Sequence, residues 1–333
     1  MIELFSGIGG FRLGFEKNEW KTVWANDNDK YACQIYRKNF GNNELIEGNI
    51  RAIDADSIPN HDLLTAGFPC QSFSNAGKRK GFKENRGTLF FEIARIASVK
   101  RPALLLLENV KGLLNHDKGR TFAKILQTLD ELGYDVEWQM LNSKHFGVPQ
   151  NRERVFIVGH LRGTSTRQIF PVGKVSEVSS AETNSEPESK QASTLESSYG
   201  KNKSLSNMIV QACLTPDRIN KRQNGRRFKE DGEPSFTLTG QDVHGVAIAS
   251  AIDCDGYLRS GARPRDENGK PLLLPIGYRR IRRLTPVECE RLQGFPDGYT
   301  DWISDTQRYK TLGNAVTVNV TDWLSKKLNE NWR

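Results

Sequence analysis

Along residues 1–160, short apolar runs alternate with stretches whose apolar residues recur at helical spacing. "MIELF" (1–5) reads as a strand, glycines follow, and "FRLGFEKN" (11–18) opens a helix. "KTVWAN" (21–26) is a second strand and "KYACQIYRKNF" (30–40) an amphipathic helix. "DLLTAGF" (62–68) and "ALLLLEN" (103–109) are continuous apolar runs, the pattern of central parallel strands covered on both faces. "RGTLFFEIARIASVK" (86–100) and "TFAKILQTLDELG" (121–133) read as helices, the second ended by Gly133, and "RVFIVGHL" (154–161) as another buried strand. Strands alternating with helices predict a doubly wound, Rossmann-like α/β sheet.

The pattern then breaks. Residues 174–204 are rich in Ser, Glu and Lys and poor in large apolar side chains, which predicts a flexible segment. Residues 205–280 are turn-rich and basic, with short β-like pieces such as "FTLTG" (236–240) and "VAIA" (246–249). Helical patterning returns with "RRLTPVECERLQGF" (282–295) and continues through "AVTVNVTDWLSKKL" (315–328). The simplest division is one α/β domain built from 1–165 and 281–333, with a smaller, mostly β domain over 166–280 inserted between.

Charge sharpens this division. The net charge is +8, and between Lys201 and Arg283 there are 16 Lys and Arg against 9 Asp and Glu. Most of the excess therefore sits in one quarter of the chain. "NKRQNGRRFK" (220–229), with Arg226 and Arg227, and "RRIRR" (279–283) suggest a polyanionic partner. The five cysteines are odd in number, widely spaced and contain no CxxC pair. That argues against a disulfide framework and a structural zinc site, and for a reduced, cytoplasmic setting. The chain opens directly on the first strand, so no signal peptide is expected, and no apolar run approaches a membrane span.

Four segments carry candidate chemistry. "ELFSGIGGF" (3–11) places Gly7, Gly9 and Gly10 between a strand and a helix, where backbone can approach a ligand and helix amides are free. The dinucleotide pattern G-x-G-x-x-G fails at Arg12. Asp27 follows about 20 residues later, the position of a ribose-binding carboxylate in such folds. A nucleoside cofactor without a strong pyrophosphate grip, S-adenosylmethionine rather than NAD, fits best. Cys70 leaves a central strand on Pro69, with Lys78, Arg79 and Lys80 close behind to favour a thiolate. Cys33 and Cys289 lie in amphipathic helices and read as packing residues; Cys213 and Cys254 have no recognisable context. Glu108 follows a buried strand among apolar neighbours, where a carboxyl's pKa is expected to rise. Arg152 and Arg154 precede the next strand at i, i+2 and are expected to point the same way.

Together these pieces resemble the C5-cytosine DNA methyltransferase family. The matching blocks, in order, are "ELFSGIGGF", "ANDNDKYA", "GFPCQSFS", "RGTLFFEIARI", "ENV", "QNRERVFIVG", "RRLTPVECERLQGFPDGY" and "LGNAVTVNV". The resemblance implies that Cys70 is the nucleophile, that Glu108 binds the cytosine edge, and that Arg154, supported by Arg152, holds the base. It assigns cofactor positions to Phe5, Gly7, Ile8, Gly10, Asp27, Asn28, Asn49, Ile50, Pro69, Leu89, Asn314 and Val316. Gln71 and Ser74 fall on a mobile catalytic loop facing DNA. Within "PSFTLTGQD" (234–242), Thr237 and Leu238 match a pair common in the family's target-recognition region. Two positions depart from the family: Glu3 and Asn49 stand where it usually has Asp.

The implied function is site-specific methylation of duplex DNA, reached by flipping cytosine out of the helix. A compact chain with one reader module resembles a restriction–modification methylase. It is expected to work as a monomer, with a cognate restriction endonuclease in the same system but no stable complex. A tRNA cytosine methyltransferase on the same scaffold and a non-catalytic DNA-binding relative are the alternatives. The roughly 115 residues at 166–280 favour duplex DNA, because groove readout needs a reader. A nicotinamide oxidoreductase, suggested by the glycines alone, lacks the required spacing.

Overall fold

The computed structural model describes residues 1–69, 89–170, 208–214, 229, 233–239, 244–250 and 280–332. The large sheet contains β1 (Ile2–Leu4), β2 (Trp24–Asp27), β3 (Leu45–Glu47), β4 (Leu63–Gly67), β5 (Leu104–Val110), β6 (Tyr134–Asn142) and β7 (Glu153–Leu161). Their spatial order is β3-β2-β1-β4-β5-β7-β6. β3 through β5 are mutually parallel, whereas β7 runs antiparallel to both β5 and β6.

Alternation along the central strands builds two cores. Leu105, Leu107, Leu64 and Ile157 face α3 (Leu89–Lys100) and α4 (Arg120–Glu131) through Phe90, Ile93, Phe122 and Ile125. Leu104, Leu106, Leu63 and Val158 face the other way, onto α1 (Gly10–Phe15) and the C-terminal helix (Val318–Trp332) through Phe11, Phe15, Val320 and Leu324. The C-terminal helix thus returns to cover the first, as a doubly wound fold requires.

Local chemistry sets the helix ends. Asp29 caps α2 (Lys30–Phe40), accepting the amides of Tyr31 and Ala32 at 2.9 and 3.3 Å. Gly133, at φ +89°, follows α4 in the left-handed conformation that commonly ends a helix. Thr285 and Glu288 form a reciprocal capping box on α5 (Pro286–Leu292), with Pro286 in its first turn. α6 (Asp305–Asn314) and α7, the C-terminal helix, complete the chain.

A second sheet holds β8 (Met208–Leu214), β9 (His244–Ser250) and β10 (Arg280–Arg283), antiparallel in the order β10-β9-β8. "VAIA" lies in β9, while "FTLTG" is not a strand: its neighbour Ser235 makes one isolated bridge to Gln150. β10 crosses the boundary drawn at 280/281. Among the described residues, no helix is long and apolar enough to cross a membrane.

Candidate active site at the carboxyl edge of the sheet

From β1 the chain winds outward to β2 and β3, and from β4 it winds the other way to β5. The switch between β1 and β4 opens a crevice at the strands' carboxyl ends, where ligands bind in such sheets. The glycine loop leaves β1 at this edge, and Phe68-Pro69, leading to Cys70, leaves β4 beside it. Cys70, Gln71 and Ser74 lie outside the described residues, as do Arg226 and Arg227.

The loop after β1 is built around carboxylates. Asp27, at the end of β2, accepts the Gly7 amide at 2.8 Å and the Asp29 amide at 2.8 Å. Burial raises its pKa, and those amides oppose the rise. Gly7, at φ +56°, has nothing within 4 Å of where a Cβ would stand. Phe5 also takes a positive φ, 55°, a strained conformation for a residue of its size. The neighbouring Ser6 hydroxyl is buried and has no partner among the described residues. An open backbone cradle, an accepting carboxylate and an orphaned hydroxyl fit a nucleoside.

Other carried-over positions surround this cradle. Asn28 is exposed just past β2, and Asn49 is exposed just past β3, its side-chain oxygen accepting from the Arg51 amide at 3.1 Å. Asn26 steadies that edge by donating to the Ile46 and Gly48 carbonyls at 2.8 and 3.0 Å. Val316 closes on Gly10: a Cβ there would lie 2.7 Å from its side chain and 2.9 Å from its carbonyl oxygen. Asn314 is exposed two residues earlier; Pro69 is exposed and Leu89 half-buried. Ile8 and Ile50 are buried at 1% and 3% exposure, so their backbones rather than their side chains are available to a ligand.

The expectation of free helix amides is narrowed at Arg12, whose amide is taken by the Glu3 carboxylate at 2.9 Å. Glu3 is fully buried, also accepts the Tyr36 hydroxyl at 2.7 Å, and is pushed up to about pKa 7 by burial.

The residues expected to be catalytic lie one strand over. The register pairs Val110 on β5 with Arg154 on β7. Glu108, two residues back, shares a face with Arg154, and diagonal neighbours at that spacing are within reach of a long side chain. Arg154 Nε meets Glu108 Oε1 at 2.9 Å, their side chains 15% and 12% exposed. The lone apolar carboxyl expected at Glu108 is instead an ion-paired one. Asn109, 2% exposed, donates to the Phe68 carbonyl at 2.8 Å and so fixes the chain's exit from β4 toward Pro69. Sequence reasoning missed Asn109, although it lies inside "ENV".

Arg152 does not join Arg154. It turns inward, 3% exposed, and donates to the carbonyls of Leu238, Gly313 and Ala315 at 2.7, 3.1 and 2.8 Å. It precedes β7, so the alternation of extended chain does not govern it, and three clustered carbonyls capture the guanidinium. Its guanidinium is therefore engaged inside the protein and does not face Glu108 beside Arg154. Leu238 has its side chain buried in the core and its amide held by Gln150 at 2.9 Å. Thr237 donates to the Asn151 carbonyl at 2.5 Å. This pair clasps residues 150–152. Cys33, Cys213 and Cys289 are all buried, and burial pushes Cys33 and Cys289 up to about 12, consistent with inert thiols.

The fold and this edge define a class: doubly wound α/β proteins with an open glycine loop at the switch point and a carboxylate–guanidinium pair beside the strand that leads to Cys70. Residues 1–330 match the family model for C-5 cytosine-specific DNA methylase, and the chain belongs to that family. It is similar to the type II methyltransferase M1.ScrFI of Lactococcus lactis subsp. cremoris, with 40% identity covering 99% of this chain and 78% of that protein. M.NlaX of Neisseria lactamica is 37% identical, covering 98% and 95% respectively, and M.HhaI of Haemophilus parahaemolyticus 35% identical, covering 97% and 92%. Among solved structures, a DNMT2 variant from Spodoptera frugiperda shares the fold with a TM-score of 0.66 at 21% identity, covering 98% of each chain.

Proposed function

We propose that this chain methylates C5 of cytosine at a specific site in duplex DNA, with S-adenosylmethionine as donor and within a restriction–modification system. The observation that carries the reading is the convergence at one sheet edge. β4 leads to Pro69-Cys70, β5 supplies Glu108, and β7 supplies Arg154, 2.9 Å from Glu108. The matching family model is of a DNA methylase and the curated relatives are named type II methyltransferases, which favours DNA over tRNA as substrate.

C5 of cytosine is too weak a nucleophile to take a methyl group unaided. The Cys70 thiolate adds to C6 and leaves electron density at C5. Glu108 accepts from the exocyclic amine and, in its protonated form, donates its proton to N3, which stabilises the charge that develops there as the thiolate adds. Arg154 keeps the carboxylate oriented and holds the base against the thiolate. The Gly7–Asp27 loop, Asn49 and Asn314 would hold S-adenosylmethionine, which would supply the methyl as an electrophilic sulfonium carbon. Loss of the C5 proton to a base, with water competent for the task, lets the C6–S bond break and frees Cys70. The target base is reached by flipping, at a cost of about a few kcal/mol for unstacking. Residues 166–280 form the reader module, its basic residues contacting phosphates and groove edges. The protein acts as a cytoplasmic monomer, without stable association with an endonuclease.

The test is transfer of labelled methyl from S-adenosylmethionine to duplex DNA and to tRNA by wild type and Cys70→Ala. Label in DNA cytosine that disappears in the variant is expected. Label in tRNA alone would reverse the substrate assignment, and no label in either would leave a non-catalytic binder.

A further inference from the structure

Three consecutive residues, Gln150, Asn151 and Arg152, hold the 235–238 segment. Gln150 accepts the Leu238 amide, Asn151 exchanges bonds with Ser235 and Thr237, and Arg152 takes the Leu238 carbonyl. The segment also touches the small sheet: the Thr239 amide donates to the His244 side chain at 3.3 Å, and His244 opens β9. On its other side the same Arg152 guanidinium holds Gly313 and Ala315, the carbonyls flanking Asn314. The next residue, Val316, packs on Gly10 of the cradle loop. One buried cation thus bridges the reader side and the cofactor side at the carbonyls that flank Asn314.

No carboxylate contacts this guanidinium in the described structure; its bonds are to carbonyl oxygens of the two segments. Its Nε is buried without a partner. Burial, and then the charge of Arg154, lower its pKa to about 9, with Glu108 opposing. A cation stabilised by two segments at once makes their positions interdependent, because displacing either leaves a buried charge undersolvated.

We propose that Arg152 is a positioning residue that couples cofactor binding at Asn314 and Val316 to DNA binding through the 235–238 segment. Ligand on the cofactor side restrains the 313–315 carbonyls, fixes the guanidinium and so orders Leu238 before DNA arrives. The ordering is then done once for both ligands, which is positive coupling. The proposal rests on the cofactor and DNA assignments made above.

The probe is a duplex carrying the site at which methylated plasmid DNA shows 5-methylcytosine. Its Kd is measured with and without S-adenosylhomocysteine for wild type, Arg152→Lys and Arg152→Met, alongside the S-adenosylhomocysteine Kd of each protein. Wild-type DNA affinity is expected to rise roughly 5- to 50-fold with S-adenosylhomocysteine, and this ratio to fall to about 2 or less in the folded variants. A purely structural role would weaken both affinities and leave the ratio unchanged, which would overturn the proposal. If the variants do not fold, hydrogen exchange on wild type decides. S-adenosylhomocysteine is expected to slow amide exchange across 235–239, and unchanged exchange there refutes the coupling. Wild type that binds no S-adenosylhomocysteine at all would instead bring down the cofactor assignment.

Discussion

Gly10→Ala tests whether the returning C-terminal segment closes the cofactor cradle. The added Cβ would lie 2.7 Å from Val316 Cγ1 and 2.9 Å from the Val316 carbonyl oxygen. Ordinary carbon contacts lie at about 3.5–4.0 Å, so roughly 1 Å must be found. The Val316 side chain can rotate, but its carbonyl cannot. The 312–315 backbone is fixed by Arg152 at Gly313 and Ala315 and by Gln293 at Leu312. Gly10 itself is held by Thr321, which donates to its carbonyl at 2.9 Å. Overpacking costs about 1–3 kcal/mol. Loss of one hydrogen bond to the Arg152 cation adds about 1.5–3 kcal/mol, and the reduced freedom of the unfolded alanine chain returns about 0.4–1 kcal/mol. The net expectation is about 2–5 kcal/mol of lost stability in urea unfolding. If the segment shifts to relieve the clash, S-adenosylhomocysteine affinity falls roughly 10- to 100-fold in calorimetry, at about 1.4 kcal/mol per decade. Gly112→Ala is the control, because its Cβ would meet nothing closer than Val110 at 4.0 Å. Gly10→Ala with the stability and affinity of this control would refute the closure.

Three further outcomes are expected. Glu3 has its folded pKa raised from 4.5 to about 7, so its contribution to stability is full below about 4.5 and is lost as pH rises through about 7. Glu3→Gln removes this titration, and the stability difference between wild type and variant should move against wild type by up to about 3 kcal/mol between pH 5 and 8; a pH-independent difference in urea unfolding would contradict it. Asn49→Asp keeps the bond to the Arg51 amide and adds an anionic oxygen, so S-adenosylhomocysteine should bind roughly 3- to 10-fold more tightly; unchanged or weaker binding in calorimetry would sink that role for Asn49. DNA affinity should fall on the order of 1,000-fold between 50 and 200 mM salt, given the basic excess over 201–283, and a flat fluorescence-anisotropy titration series would remove phosphate contacts from the account.

Two strands show where pattern reading stops. β6 alternates along "YDVEWQML", a half-exposed edge pattern that a search for continuous apolar runs passes over. β7 is legible as a buried strand, but its direction is not, since burial on both faces looks the same in either orientation. That direction decides the site: only an antiparallel β7 brings its first residues to the carboxyl edge of β5 and sets Arg154 against Glu108. Arg152 was misplaced for a related reason, because its contacts span 86 positions of sequence or more and no local pattern carries them.

The sequence by itself determined the alternation of strands and helices, the glycine loop, the carboxylate after the second strand, and the order of blocks that carries the family resemblance. These are local properties, written in residue type and spacing. Tertiary structure decided which strand ends meet, that the C-terminal segment closes on Gly10, and that one arginine pairs with Glu108 while its neighbour turns inward to bind carbonyls. Those outcomes depend on strand direction and on which buried polar groups must satisfy one another, and only the packed chain settles either.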